Sequence, residues 1–208
     1  MLRKSETAII CITGYAGSGK STMSNMLENH LPNARCIHVD DYYADYVTQF
    51  PEDVEQIFGQ PVDTSNGLLY LEKFVRKLDV REYKKFCDAF NLYANYRLAK
   101  DATSIISAHQ PRFLIVEHYM LPILCIWKRA DYKLLIQTNK LELQSELLSN
   151  REIFAWDRSF AKIVNSAARE CIENIAESVD YTIHNNFDDN FNEHVKNIAL
   201  QILEVLGT

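Results

Sequence analysis

The chain has 208 residues, 47% of them hydrophobic and 24% charged, the balance of an ordinary globular protein with room for one α/β domain and a good core. A net charge of −6 and a pI near 5.5 argue against a general nucleic-acid binder, which would carry a basic face. No apolar run approaches the length of a membrane-spanning helix, and residues 1–6 lack the apolar stretch of a signal peptide, so a cytoplasmic chain with no membrane partner is expected.

The first element is the apolar run Ala8-Ile9-Ile10-Cys11-Ile12, which reads as a buried strand. It leads into Gly14-Tyr15-Ala16-Gly17-Ser18-Gly19-Lys20-Ser21-Thr22, which fits the P-loop pattern G-x-x-x-x-G-K-[ST]. Met23, Met26, Leu27 and Leu31 then recur at helical spacing, so the motif stands between a strand and a helix. The residue types suit phosphate. Glycine lets backbone N–H groups wrap the oxygens closely, and the helix N-terminus favours an anion. Gly14, Ala16, Gly17, Ser18, Gly19, Lys20, Ser21 and Thr22 are therefore the candidate nucleotide-binding residues. Lys20 would reach the β- and γ-phosphates, and Ser21 would offer its hydroxyl to Mg²⁺.

A second strand, Arg35 to Val39, ends in Asp40-Asp41-Tyr42-Tyr43. Ligands of open α/β sheets sit at the carboxyl ends of strands, so one carboxylate could take a proton from a substrate hydroxyl while the other acts on the shell of Mg²⁺. Either aspartate could instead cap a turn. Residues 44–67 carry Pro51, Gly59, Pro61 and Gly67 and read as loop, with a short helix near Glu52–Phe58. Asp63 lies in turn chemistry there, either near substrate hydroxyls or as a cap for a helix through Leu68, Leu71, Phe74, Val75 and Leu78. Residues 79–109 are tyrosine-rich and helical in pattern, and residues 44–109 together suit a mostly helical insert on the substrate side.

Arg112 to Glu117 is the next strand, an apolar run ending in an acid, the form of a Walker B strand whose carboxylate lies near the metal. His118 follows it, either structural or in contact with substrate. Asp131 to Thr138 reads as a fourth strand and Tyr181 to Asn185 as a fifth. Between them, Leu141, Leu147 and Leu148 suit a helix, and residues 145–158 suit a short lid. There Arg151 and Arg158 either close over the phosphates or form surface ion pairs. Helical stripes run from Phe160 to Ile175 and from Phe191 to Leu206. Strands alternating with helices predict a single domain over 1–208: a five-stranded parallel sheet covered by helices on both faces. The five cysteines, Cys11, Cys36, Cys87, Cys125 and Cys171, form no C-x-x-C pair and are expected to be reduced and mostly buried.

With these pieces located, the chain resembles the P-loop small-molecule kinases of the uridine kinase and nicotinamide riboside kinase group. Gly14–Thr22 resembles the phosphate loop. Val39-Asp40-Asp41-Tyr42-Tyr43 resembles the Q-D-D-F-F segment, and the resemblance places the catalytic base on Asp40, with Tyr43 beside the acceptor. Pro61-Val62-Asp63 resembles the segment whose aspartate meets ribose hydroxyls, and Phe113 to Glu117 resembles I-I-V-E-G, with His118 in place of the glycine. The lid lacks the usual run of several arginines, and residues 79–97 offer no match to the base-reading P-x-Y-D segment.

The resemblance implies ATP- and Mg²⁺-dependent phosphorylation of a hydroxyl on a small molecule, a nucleoside first. Asp40, Lys20 and Arg151 are expected to be catalytic, Asp40, Tyr43, Asp63 and His118 to bind substrate, and Ser21, Asp41 and Glu117 to serve the metal. Dephospho-coenzyme A, pantothenate and sugar kinases share these core parts and stay open, as do the donor base and an oligomeric state. A guanine-nucleotide switch fits less well, because Thr138-Asn139-Lys140-Leu141-Glu142 ends in glutamate and no D-x-x-G precedes it. A nucleotide-binding module without transfer activity is the alternative of another class.

Overall fold

The computed structural model describes residues 7–58, 79–140, 142, 144, 146, 158–175 and 177–206. Five parallel strands make one sheet: β1 (Ala8–Gly14), β2 (Ala34–His38), β3 (Phe113–Glu117), β4 (Tyr132–Gln137) and β5 (Tyr181–His184). Their order is β2-β3-β1-β4-β5, so β1 is central, paired with β3 through Ile10↔Ile115 and with β4 through Ile12↔Leu134. A parallel sheet needs cover on both faces, and the strand residues divide accordingly. Ile10, Ile12, Phe113, Ile115, Leu134 and Ile136 pack with Met23 and Leu27 of α1 (Lys20–His30) and with Val195, Ile198 and Ile202 of α6 (Asn190–Leu206). Cys11, Leu114, Val116 and Leu135, one position out of phase, pack on the other face.

That second face is covered by α2 (Tyr42–Gln49), α3 (Pro51–Phe58), α4 (Val80–His109) and α5 (Arg158–Glu173). The start of α4 is set by a capping box. The Asp79 carboxylate accepts from the Glu82 N–H at 2.8 Å, and the Glu82 carboxylate accepts from the Asp79 N–H at 3.0 Å. It ends at Gln110, whose φ of 45° is left-handed, just before Pro111. Phe86, Phe90, Ala94 and Leu98 of α4 are buried in the same cluster as Leu114 and Val116, so this helix is part of the core. No described helix is long and apolar enough to cross a membrane.

Two expectations need correction. Residues 44–49 are helical rather than loop: Tyr42, Tyr43, Tyr46 and Val47 make one buried face against α4, with the Tyr46 ring edge-on to Phe90 at 5.7 Å. The cysteines are not mostly buried. Cys11 and Cys87 are, Cys36 and Cys171 are half-buried, and Cys125 is exposed.

Candidate active site

The P-loop turns from the end of β1 into α1. Gly14, Gly17 and Gly19 have φ of 152°, 74° and 101°, values that side chains oppose. Space excludes a side chain as well. A Cβ on Gly14 would overlap the Ile136 carbonyl oxygen, and one on Gly19 would lie 2.5 Å from the Asn185 amide nitrogen. The loop is thus moulded against the ends of β4 and β5.

Three amides hold it from outside. Asn165 Oδ1 of α5 accepts from the Ala16 N–H at 2.9 Å, Asn185 Nδ2 donates to the Ser18 carbonyl at 2.9 Å, and Gln144 Nε2 donates to the Ala16 carbonyl. The first turn of α1 has no side-chain cap and no acidic residue. Its N–H groups, uncapped by any side chain, and its dipole therefore favour an anion. The Lys20 ammonium, nearly buried, donates to the Tyr15 carbonyl at 3.0 Å, and the buried Ser18 hydroxyl has no partner among the described residues. A buried hydroxyl without a partner is costly, and a phosphate oxygen in the loop would relieve it.

Beside the loop, Ser21 Oγ donates to Glu117 Oε1 at 3.0 Å. His38, the last residue of β2, places Nδ1 2.9 Å from that same oxygen and Nε2 3.2 Å from Asn25 Oδ1. The Cys36 sulfur and then the Glu117 carboxylate favour the charged ring, and the His38 pKa is pushed up to about 10. Glu117 is 1% exposed, and its Oε2 has no partner among the described residues. A hydroxyl and a buried carboxylate oxygen, beside a loop built for phosphates, are the donor set a small hard cation takes when it keeps most of its waters. The residues present therefore fit Mg²⁺, with Ser21 and Glu117 as its protein contacts.

Asp40 lies in the single 3₁₀ turn Val39–Asp41 that follows β2. Its side chain is 48% exposed, and Oδ1 is 3.2 Å from His118 Nε2. Consecutive residues therefore tie the two halves of the site together: Glu117 holds Ser21 of the P-loop, and His118 holds Asp40. Asp41 is exposed and lines a pocket of about 270 Å³ with His38, Tyr42 and Asp101, on the α4 side of β2.

Two expected substrate contacts are placed elsewhere. Tyr43 is buried, stacked on Phe90 at 4.0 Å, with its hydroxyl 2.9 Å from that of Tyr119. His118 has no exposed surface, and its nitrogens face the Met120 N–H and Asp40. Both lie beneath Asp40, because the side chains that follow the β2 and β3 ends turn into the aromatic core of α4. Asp63, Arg151 and residues 147–157 of the expected lid lie outside the described residues.

His38, Asn165, Gln144 and Asn185 were missing from the sequence-based site. His38 stands two residues before Asp40 at a strand end, a position that could have signalled it. Asn165 sits mid-helix and 149 positions from its partner, where no local pattern marks it.

The fold is that of the P-loop kinases. The Thermus thermophilus protein TT1252 superposes with a TM-score of 0.65 at 20% identity, over 96% of this chain and 98% of that one. Dephospho-CoA kinase from Campylobacter jejuni superposes at 0.54 with 14% identity, covering 94% and 96% of the two chains. Shikimate kinase from Bacteroides thetaiotaomicron superposes at 0.51 with 13% identity, covering 97% and 99%. In sequence, the chain is 29% identical to nicotinamide riboside kinase 1 of Homo sapiens over 133 residues, 61% of this chain and 58% of that protein. The match thus spans little more than half of that relative's length. No family model matches the chain.

Proposed function

We propose that the chain is a kinase that moves the γ-phosphoryl group of ATP to a hydroxyl of a small molecule, a nucleoside first and nicotinamide riboside among the nucleosides. The observation that supports this reading is the pair of links Ser21–Glu117 and His118–Asp40, which joins a half-exposed carboxylate to the first turn of the P-loop helix through two consecutive residues at the end of β3. The similarity to nicotinamide riboside kinase 1 supports the class of acceptor.

In this reading the loop amides from Gly17 to Lys20 and the α1 N-terminus bind the triphosphate. Ser21 and Glu117 would hold Mg²⁺, which would supply charge neutralisation on the phosphate oxygens. Asp40 accepts the proton as the acceptor oxygen bonds to the γ-phosphorus, the bond to the bridging oxygen breaks, and ADP leaves with the electron pair. Lys20 stabilises charge on the transferred group, and Arg151 is assigned the same role from the lid. In phosphoryl transfer of this kind, positioning and charge stabilisation supply most of the rate.

The test is ADP release from ATP and Mg²⁺ across nucleosides, nicotinamide riboside, pantothenate, dephospho-coenzyme A and simple sugars, with Asp40→Asn as control. One acceptor should stimulate turnover. The variant should lose about 10²–10⁴-fold in kcat, the range for a removed general base, while still binding ATP. ATP binding that no acceptor converts to turnover would favour a nucleotide-binding module without transfer activity.

A further inference from the structure

His118 is fully buried directly after the strand that carries Glu117, yet its Nε2 lies 3.2 Å from the carboxylate of Asp40, which is 48% exposed. The donors fix which ring nitrogen carries the proton. The Met120 N–H donates to Nδ1 at 3.3 Å, so Nδ1 is the acceptor and Nε2 carries the hydrogen. That hydrogen faces Asp40 Oδ1 at 3.2 Å and the Tyr43 hydroxyl oxygen at 3.4 Å.

The phenols behind it are ordered by the same reasoning. Tyr43 faces an N–H at Nε2, so its own proton goes to Tyr119, 2.9 Å away. Tyr119 in turn donates toward Tyr83 at 2.8 Å or toward Cys87 Sγ at 3.6 Å. Burial keeps Tyr43, Tyr83 and Tyr119 protonated, since each is pushed well above the ordinary phenol range. The rings are held too: Tyr43 stacks on Phe90, and His118 lies 4.4 Å from Tyr119.

We propose that His118 is a positioning residue: its Nε2–H, fixed by the Met120 amide and the Tyr43–Tyr119–Tyr83 chain, holds the Asp40 carboxylate in the orientation that receives the acceptor proton. The proposal rests on the kinase reading above. Asp40 hangs on a single 3₁₀ turn and is half in water, where a carboxylate has several rotamers to choose from. An N–H donor anchored in the core selects one of them, as supporting hydrogen bonds orient functional side chains elsewhere. A histidine that merely filled the core would act on stability and would be indifferent to Asp40.

A double-mutant cycle separates the two roles. His118→Leu should lower kcat for acceptor phosphorylation about 10–100-fold, the usual cost of losing such a support, with KM for ATP unchanged. His118→Gln, which restores an N–H donor, should recover much of that loss, and Tyr119→Phe should show a smaller loss. In an Asp40→Asn background, His118→Leu should cost nothing further, because residues acting as a unit are not additive. An equal loss in both backgrounds, or no loss in kcat, overturns the proposal. If His118→Leu does not fold, Tyr119→Phe and His118→Gln are carried through the same cycle.

A second readout does not depend on turnover. The ¹⁵N-imidazole spectrum of the full chain should show His118 as the Nε2–H tautomer, with its ring proton shifted by Asp40→Asn. The other tautomer, or a ring proton indifferent to that change, overturns the proposal. A wild type that phosphorylates no acceptor sinks the kinase reading instead, and the spectrum then decides the hydrogen bond by itself.

Discussion

The hydroxyl of Ser21 and the carboxylate of Glu117 meet at 3.0 Å, joining the first turn of α1 to the end of β3. The same Glu117 oxygen also faces His38 Nδ1, while its second oxygen is buried without a partner among the described residues. Glu117→Gln keeps one oxygen for the two donors but removes the negative charge and puts an NH2 donor in place of the second acceptor oxygen, so the site loses what it offers a cation. We expect the Mg²⁺ concentration for half-maximal ATP turnover to rise about 10–100-fold, the range for a disturbed metal support. A Mg²⁺ titration of ADP release measures it, and an unchanged requirement would remove Glu117 from the metal site.

The phosphate loop owes its shape to partners far away in the chain. Asn185 donates to the Ser18 carbonyl and accepts from the Phe187 N–H at 2.8 Å while 4% exposed. Asn185→Ala strands both backbone groups at a cost of about 1–3 kcal/mol. We expect a lower Tm and weaker ATP binding together, since the loop that loses its brace is the loop that binds. Calorimetric titration with ATP reads the second effect. Full ATP affinity in a destabilised variant would show that the loop keeps its shape unaided.

The parts legible in the sequence are those whose causes are local. Gly14, Gly19, Lys20 and Ser21 are spaced by the geometry of a single turn, and the strands declare themselves as apolar runs because a parallel sheet is buried on both faces. The strand order β2-β3-β1-β4-β5 has no local signature, since β1 and β3 pair across a hundred positions. Tyr43 and His118 show the same limit at the scale of one side chain. Their positions at strand ends point to a cleft, but Phe90 of α4 captures the Tyr43 ring, and the backbone at Met120 turns the His118 ring inward. Residues 44–49 looked like loop because Pro51 follows closely. Their helix depends on a face of α4 that forms its own partner only after folding.

The buried phenols make stability sensitive to alkali. In the unfolded chain Tyr43, Tyr83 and Tyr119 ionise near the ordinary phenol value of 10.0, whereas in the folded protein burial holds them protonated well above it. Burial likewise pushes the Cys87 thiol from 9.0 up to about 12. Above these ordinary values the unfolded state has fewer bound protons than the folded state, so stability must fall as pH rises. Urea denaturation between pH 6 and 11 should show stability falling from about pH 7, where the unfolded His38 ring loses the proton that the folded ring keeps up to about 10, and falling further from about pH 9, where unfolded thiols begin to ionise. Tyr119→Phe should flatten the slope above pH 10, since it removes one of the three phenols. A stability curve level to pH 11 would mean that these hydroxyls are not protected in solution.

Thiol chemistry reports on the fold more directly. Cys125 is exposed on the turn after β3, while Cys11 and Cys87 are buried, on the central strand and on α4. Burial pushes both buried thiols up to about 12, so neither supplies the thiolate that an alkylating reagent needs. Under native conditions near pH 8, iodoacetamide should label Cys125 first and the half-buried Cys36 and Cys171 more slowly. Cys11 and Cys87 should react only once denaturant unfolds the chain. Peptide mapping over a time course gives each rate separately. Cys11 sits between β3 and β4 in the middle of the sheet, where reagent can arrive only by opening the core. Early labelling there would contradict the central placement of β1, and early labelling of Cys87 would contradict the packing of α4 over Tyr119.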